Sequence, residues 1–275
     1  MEASVRTVLL TGAAGDVGTR LRPMLRERYG RVILSDRVKI ADLAPNESFR
    51  GGELDDPAAM AAACAGADGI VHLGGQPTEA PWEVIDASNV QGLMVLLEAA
   101  RAAGAGRFVF ASSNHATGLY GRQRRIGSEN RVRPDTRYGL SKAFGEAACA
   151  LYAGKHGMRC LSIRIGNVAD APADLRRLSI WLHPEDLFQL VTIGLEHPEV
   201  HDQVVFGASG NAMTFWDNGP AFALGYRPAH RAEDHRAAAM AAQAALPPDP
   251  VGDRLQGGGF CSLDWDGDIE RTAWS

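Results

Sequence analysis

Thr11-Gly12-Ala13-Ala14-Gly15-Asp16-Val17-Gly18 reads G-x-x-G-x-x-G, directly after an apolar run at residues 5–10 and directly before a helical stretch reaching about residue 28. Glycines at this spacing permit a tight turn and let the backbone approach a pyrophosphate. The N-terminus of the following helix offers free N–H groups to the same anion. Taken alone, the pattern fits equally well a glycine-rich loop that packs helix on strand. Asp36 separates the two readings. It closes a second apolar run, residues 32–35, where an acid can accept hydrogen bonds from both hydroxyls of an adenosine ribose. Its carboxylate would repel a 2′-phosphate, so NAD is expected rather than NADP, with the adjacent Arg37 pulling the other way. Strand, turn, helix and acid in this order predict dinucleotide binding, with Gly12, Gly15, Asp16, Val17, Gly18, Asp36 and Arg37 as cofactor residues.

Outward from the turn, strands and helices alternate. The first helix carries Pro23, which is expected to kink it. Asp56-Pro57 opens an Ala-rich helix with proline where proline is tolerated. Residues 70–73 read as a third strand, 82–103 as a long helix, 108–111 as a fourth strand, 138–156 as another long helix and 160–165 as a fifth strand. This rhythm predicts a Rossmann-type, doubly wound parallel sheet over residues 1–166. Beyond residue 166 it breaks. Residues 167–275 hold short elements, most of the tryptophans and an Ala-rich helix at 232–245 stopped by Pro247-Pro248-Asp249-Pro250. They are expected to form a smaller α/β substrate-binding region packed on the sheet.

Composition narrows the function. The chain has 275 residues, 45% of them hydrophobic, enough for one large α/β domain or one domain plus a small annex. Lys+Arg 28 against Asp+Glu 33 gives a net charge of −5, which argues against nucleic acid as a partner. Apolar runs fall short of a bilayer span, and residues 1–6 lack an apolar signal core. Cys64, Cys149, Cys160 and Cys261 stand far apart and read as reduced core thiols. A cytoplasmic protein is expected. His183, His197, His201, His230 and His235 show no metal-ligand spacing, so no metal is expected.

Tyr138-Gly139-Leu140-Ser141-Lys142 opens the long helix and places Tyr138 and Lys142 one turn apart on one face. A phenol left alone titrates near ~10 and is a poor base at neutral pH. A nearby ammonium and an oxidised nicotinamide both favour its phenolate. Ser113 ends the fourth strand, on the carboxyl edge where open α/β sheets bind ligands.

These features together resemble the extended short-chain dehydrogenase/reductases. The resemblance implies Tyr138 as base, Lys142 tuning it and holding the nicotinamide ribose, and Ser113 steadying the reacting hydroxyl. It also puts Glu53-Leu54 against adenine, where the family's usual acid is Asp. Val71-His72-Leu73-Gly74-Gly75, Phe110-Ala111-Ser112-Ser113-Asn114-His115, Arg164-Ile165-Gly166, Trp216-Asp217-Asn218 and Gln256-Gly257-Gly258 resemble the uronate dehydrogenases in particular. That implies oxidation at C1 of glucuronate or galacturonate to the aldarolactone with NAD. Leu73, Gly74, Gly75 and Ile165 would join the cofactor set, and Gln76, Ser113, Asn114, His115, Asn167 and Arg176 would meet the sugar. A guanidinium grips a carboxylate in a bidentate way, and Arg177 competes with Arg176 for that role. Asp16, Pro77 and Asn167 depart from the uronate dehydrogenase pattern and leave the sugar open.

Other readings follow from the same residues. A sulfonated hexose would satisfy Arg176 as well. A sugar-nucleotide epimerase shares Ser, Tyr and Lys but needs a longer C-terminal domain. A non-enzymatic dinucleotide sensor would have lost Tyr138 or Lys142. Arg122-Gln123-Arg124-Arg125 reads as a solvated basic loop. The expected partner is a small anionic sugar, and the expected assembly is a homo-oligomer.

Overall fold

The computed structural model describes residues 5–274. Met1–Ser4, part of the stretch read as lacking a signal core, lie outside the described residues. Aliphatic and β-branched residues form β1 (Thr7–Thr11), and α1 (Asp16–Arg28) follows the glycine turn. Asp16 in the first turn of α1 and Arg26 and Arg28 in its last complement the helix dipole, and the helix continues through Pro23. Next come β2 (Arg31–Ser35), β3 (Glu47–Phe49) and α2 (Pro57–Cys64). Asp56 caps α2 by accepting from the N–H groups of Ala58 and Ala59. β4 (Gly69–His72) leads to α3 (Trp82–Ile85) and α4 (Gly92–Ala103), and α4 closes on Gly104 in the left-handed region. β5 (Arg107–Ser113), α5 (Arg137–His156) and β6 (Arg159–Ile165) complete the stretch in which strands and helices alternate.

The fold is Rossmann-like. Its sheet has the order β3-β2-β1-β4-β5-β6, continued by β9 (Asp202–Gly207). The pairs β2–β3, β1–β2, β1–β4 and β4–β5 are parallel. Strand order reverses between β1 and β4, and that switch point is where ligands sit in open α/β sheets.

Four expectations need correction. The three-residue β3 adds an edge strand with no alternating pattern to announce it. Residues 82–103 are not one uniform helix, because a π-helical turn, Asp86–Gln91, separates α3 from α4. The sheet also does not end at residue 165. After the short β7 (Asn167–Val168), α6 (Arg177–Ile180) and β8 (Trp181–Leu182), the 13-residue α7 (Pro184–Glu196) leads into β9. The chain finishes with α8 (Gly219–Ala223), α9 (Arg236–Gln243) and α10 (Ile269–Trp274). The helix expected at 232–245 is thus a 3-10 turn followed by α9.

The chain divides into two compact units. The first comprises Met1–Ala111, Phe144–Ser162 and Val191–Gln203, and its core packs Leu9, Ile33, Ile70 and Phe108 against Met60, Leu93, Leu97 and Tyr152. The second comprises Ser112–Ala143, Ile163–Leu190 and Val204–Ser275. Its buried clusters are smaller, among them Phe206 stacked on Trp216 with centroids 4.6 Å apart.

Candidate active site

In the first unit the glycine turn is locked by its own backbone. Gly12 has φ +68, and a Cβ there would lie 2.7 Å from the nitrogen of Gly74. A Cβ on Gly18 would come within 2.3 Å of the carbonyl oxygen of Gly12. Gly15 precedes α1 in an extended conformation with no side chain capping the helix, which leaves the first-turn N–H groups of Asp16, Val17 and Gly18 for an anion. The Asp36 carboxylate is tied to the same turn. One oxygen accepts from Ala14 N–H at 3.0 Å, the other from Val38 N–H at 2.9 Å. An uncapped helix N-terminus and a carboxylate fixed beside the turn suit the pyrophosphate and ribose of a dinucleotide. Leu54 lies against Gly74, whose added Cβ would sit 3.0 Å from a Leu54 methyl. Asp16 is 69% exposed and pairs with Arg20 at 3.0 Å, so its charge is answered within α1.

The loop after β4 is braced from the π-helical turn. Asn89 Oδ1 accepts from Gln76 N–H at 2.7 Å, and Asn89 Nδ2 donates to the Gln76 carbonyl at 3.1 Å. Gly75, at φ +126, has no room for a Cβ beside Asn89.

The second unit gathers Ser113, Asn114, His115, Tyr138, Lys142 and Arg176. Ser113, Tyr138 and Lys142 are all buried, and Tyr138 hydrogen-bonds the Ser113 hydroxyl. Lys142 Nζ lies 5.5 Å from the centre of the Tyr138 ring. Burial dominates the electrostatics. It pushes the Tyr138 phenol up to about 12, against the Ser113 hydrogen bond, and draws the Lys142 ammonium down to about 8. The expectation set the ammonium together with an oxidised nicotinamide against this burial.

Arg176 is held from two sides. Its Nε donates to the Gln256 carbonyl at 2.7 Å. The Asn114 amide, oriented so that both ends are satisfied, accepts from Arg176 Nη2 at 3.1 Å and donates to the Ile165 carbonyl at 3.1 Å. Burial, and after it the charges of Arg122 and Arg177, lower the Arg176 guanidinium to about 10, so it stays charged at neutral pH. Two of the competing cations are committed elsewhere. Arg177 pairs with Asp174. Arg122 is not a solvated side chain: it donates to the carbonyls of Leu255 at 3.1 Å and Gly252 at 2.6 Å. Gln123, Arg124 and Arg125 are exposed, as a solvated loop requires. Asn167 lies on β7, opposite Trp181 of β8.

Two residues of this neighbourhood escaped the sequence reading. Asp135 accepts from or shares a proton with His115 Nδ1 at 2.7 Å, and Phe260 stacks on the His115 ring with centroids 4.1 Å apart. Asp135 precedes Thr136, whose hydroxyl caps α5 through Gly139 N–H, so the pair reads in sequence as an ordinary helix start. Away from this neighbourhood, the structure brings together ligand atoms of His183, Glu185 and His230 within 4.8 Å of one another, which spacing did not reveal. The two imidazoles stack with centroids 3.5 Å apart and their planes inclined by 24°.

The NAD dependent epimerase/dehydratase family matches residues 8–174. The chain belongs to that family. Every feature from the glycine turn to Tyr138 and Lys142 lies inside the match, whereas Arg176 lies just past it. Alignment with single members of the family reaches further. The chain is 42% identical over 255 residues to the uronate dehydrogenase of Pseudomonas putida (strain KT2440), covering 92% of this chain and 94% of that one. Glucuronic acid dehydrogenase from Chromohalobacter salexigens matches in structure with a TM-score of 0.91 at 39% identity, covering 94% of this chain and 97% of that one. A tyrosine-to-alanine variant of uronate dehydrogenase from Agrobacterium tumefaciens, complexed with NAD, gives 0.89 at 39% identity, covering 96% and 98%.

Proposed function

We propose that the protein is an NAD-dependent uronate dehydrogenase that oxidises C1 of a hexuronate such as glucuronate or galacturonate to the aldarolactone. The observation that carries this reading is the guanidinium of Arg176, held by Asn114 and Gln256 in the unit that also carries Ser113, Tyr138 and Lys142. One guanidinium matches the single charge of a carboxylate in a planar, bidentate fashion. Alignment over nearly the whole length of the uronate dehydrogenases supports the same substrate class.

In this reading Tyr138 takes the proton of the C1 hydroxyl, Lys142 favours the phenolate and Ser113 holds the hydroxyl in place. Gln76, Asn114, His115 and Asn167 meet the sugar's remaining polar groups. Gly12, Gly15, Asp16, Val17, Gly18, Asp36, Arg37, Glu53, Leu54, Leu73, Gly74, Gly75 and Ile165 hold the dinucleotide. When bound, NAD supplies the hydride acceptor. We assign cofactor binding and the reacting side chains to residues 1–166 and the substrate's anion to residues 167–275. No helix among the described residues is long and apolar enough to cross a membrane, and all four cysteines are free and buried, which supports a cytoplasmic enzyme. Leu140, Phe144 and Leu151 stand exposed along α5, and that stripe supports self-association into a homo-oligomer.

A sulfonate also carries one charge, so a sulfonated hexose belongs in the test. Formation of reduced nicotinamide is followed with glucuronate, galacturonate, a sulfonated hexose and glucose, each with NAD and with NADP. Turnover of a uronate with NAD is expected. Preference for the sulfonated sugar would replace the substrate, equal use of NADP would remove Asp36 from the ribose, and no turnover of any aldose would overturn the reading.

A further inference from the structure

Asp135 has no part in the chemistry described so far, yet the second unit is shaped around its carboxylate. The side chain is 0% exposed. Three glycines make room for it. A Cβ on Gly118 would lie 1.9 Å from Asp135 Oδ2, one on Gly257 2.0 Å from the same atom, and one on Gly139 3.0 Å from Oδ1. These glycines come from three separate stretches of the chain: the segment after β5, the first turn of α5 and the segment before α10. Gly118 and Gly257 are also joined to each other, Gly257 N–H donating to the Gly118 carbonyl at 2.9 Å. Space reserved on three sides for one carboxylate indicates that its position matters.

Its partners show what the position is for. Oδ1 accepts from the Thr136 hydroxyl at 2.9 Å. Oδ2 lies 2.7 Å from His115 Nδ1 and 3.7 Å from the Cys261 thiol, which donates to it. The backbone closes the same connection, with Asp135 N–H donating to the His115 carbonyl at 3.2 Å. Phe260 fixes the plane of the imidazole by stacking on it, and the Tyr138 ring meets its edge at 5.9 Å. A carboxylate only accepts hydrogen bonds, so the proton shared with the imidazole sits on Nδ1. In a neutral imidazole with its proton on Nδ1, Nε2 is left as an acceptor.

We propose that Asp135 is a positioning residue that holds His115 with its proton on Nδ1 and thereby presents Nε2 as an acceptor to a sugar hydroxyl. The proposal rests on the reading of the substrate as a sugar acid. It makes the site selective for a sugar carrying a hydroxyl at that locus, because the neutral imidazole held in this tautomer offers Nε2 only as an acceptor. A hydroxyl replaced by hydrogen would leave the acceptor unanswered, and one replaced by a carbonyl would oppose two acceptors.

The test begins without substrate. In protein labelled with 15N-histidine, the His115 signals are assigned by their loss in His115→Gln. The wild type is expected to show the Nδ1–H tautomer, and Asp135→Asn, which preserves shape, a mixture or the Nε2–H form. A wild type in the Nε2–H form overturns the proposal even if Asp135→Asn fails to fold. Kinetics then separate positioning from mere packing. Asp135→Asn should lower kcat/KM for glucuronate about ten- to hundred-fold, mainly through the KM of the sugar, with the KM for NAD unchanged. The double variant Asp135→Asn/His115→Gln should be no worse than His115→Gln alone. Losses that add, or a KM for NAD that moves in step with that for the sugar, overturn the proposal. A wild type that oxidises no uronate would overturn the reading of the reaction instead, since the tautomer is read with no substrate present.

Discussion

In the first unit the groups offered to a ligand are largely main chain: the first-turn N–H groups of α1 and a turn so tight that a Cβ on Gly12 or Gly18 would collide with backbone. In the second they are side chains, and each is held by a group distant in sequence: Arg176 by Asn114 and Gln256, His115 by Asp135 and Phe260. The two constructions are vulnerable in opposite ways. A site made of backbone is spoiled by adding atoms. A site made of side chains is spoiled by taking them away. The first tolerates no methyl group, and the second tolerates no truncation.

The largest effect expected from removal is at Tyr138. Tyr138→Phe takes away one oxygen and should lower kcat by about 10²–10⁴-fold, the usual worth of a general base. Affinity for NAD, followed by fluorescence titration, should stay unchanged, and retained turnover would move the base to another residue. Arg176→Ala should follow, losing about 2–5 kcal/mol in kcat/KM on glucuronate, as for truncating one member of a buried charge pair. On glucose, which offers no carboxylate, the same variant should lose little. Equal losses on both sugars would make Arg176 structural and blur the contrast between the units.

Addition is tested at glycine. Gly18→Ala should destabilise the fold by about 1–3 kcal/mol and weaken NAD binding, because the new methyl would meet the Gly12 carbonyl. Gly154, inside α5, has nothing within 4 Å of an added Cβ. Gly154→Ala should therefore stabilise, by about 0.5–1 kcal/mol. Thermal melting of the two variants sharpens the comparison, and a harmless Gly18→Ala would dismiss it. Lys142 supplies the smallest test of removal, in which loss should help the fold. Its ammonium titrates near 8 in the folded protein against an ordinary 10.5. Below pH 8 the charge is present folded and unfolded, and burying it costs stability. From 8 to 10.5 the folded protein gives up the proton first, so stability rises with pH. Lys142→Met should raise the melting temperature at neutral pH, by about 1–2 kcal/mol of stability, and the gain should shrink as pH climbs through that window. A gain that does not change with pH would mean that buried charge is not its source.

The same contrast explains what could be read from residues alone. Gly12, Gly15, Gly18 and Asp36 sit within one strand–turn–helix–strand stretch, so a local pattern carries both the geometry and the chemistry. Tyr138 and Lys142 are one helical turn apart and equally legible. Asp135 is not, because a helix start and a buried carboxylate use the same residue types and only the packing of Gly118, Gly139 and Gly257 tells them apart. Arg122 reads as solvated because its partners are the carbonyls of Gly252 and Leu255, which no side-chain pattern announces. The two-residue strands β7 and β8 and the half-buried β3 are too short for periodicity to show. α7 carries Leu187, Leu190, Val191 and Leu195 at helical spacing, but it follows a stretch without rhythm, and its first residue is a proline.

Gly257 and Gly258 seat Asp135 and the stem of Arg176 side by side, and Gln256 just before them holds the guanidinium. During synthesis Tyr138 and Lys142 leave the ribosome long before these three residues exist. A chain ending short of this Gln-Gly-Gly tripeptide would lack the seats of both side chains at once.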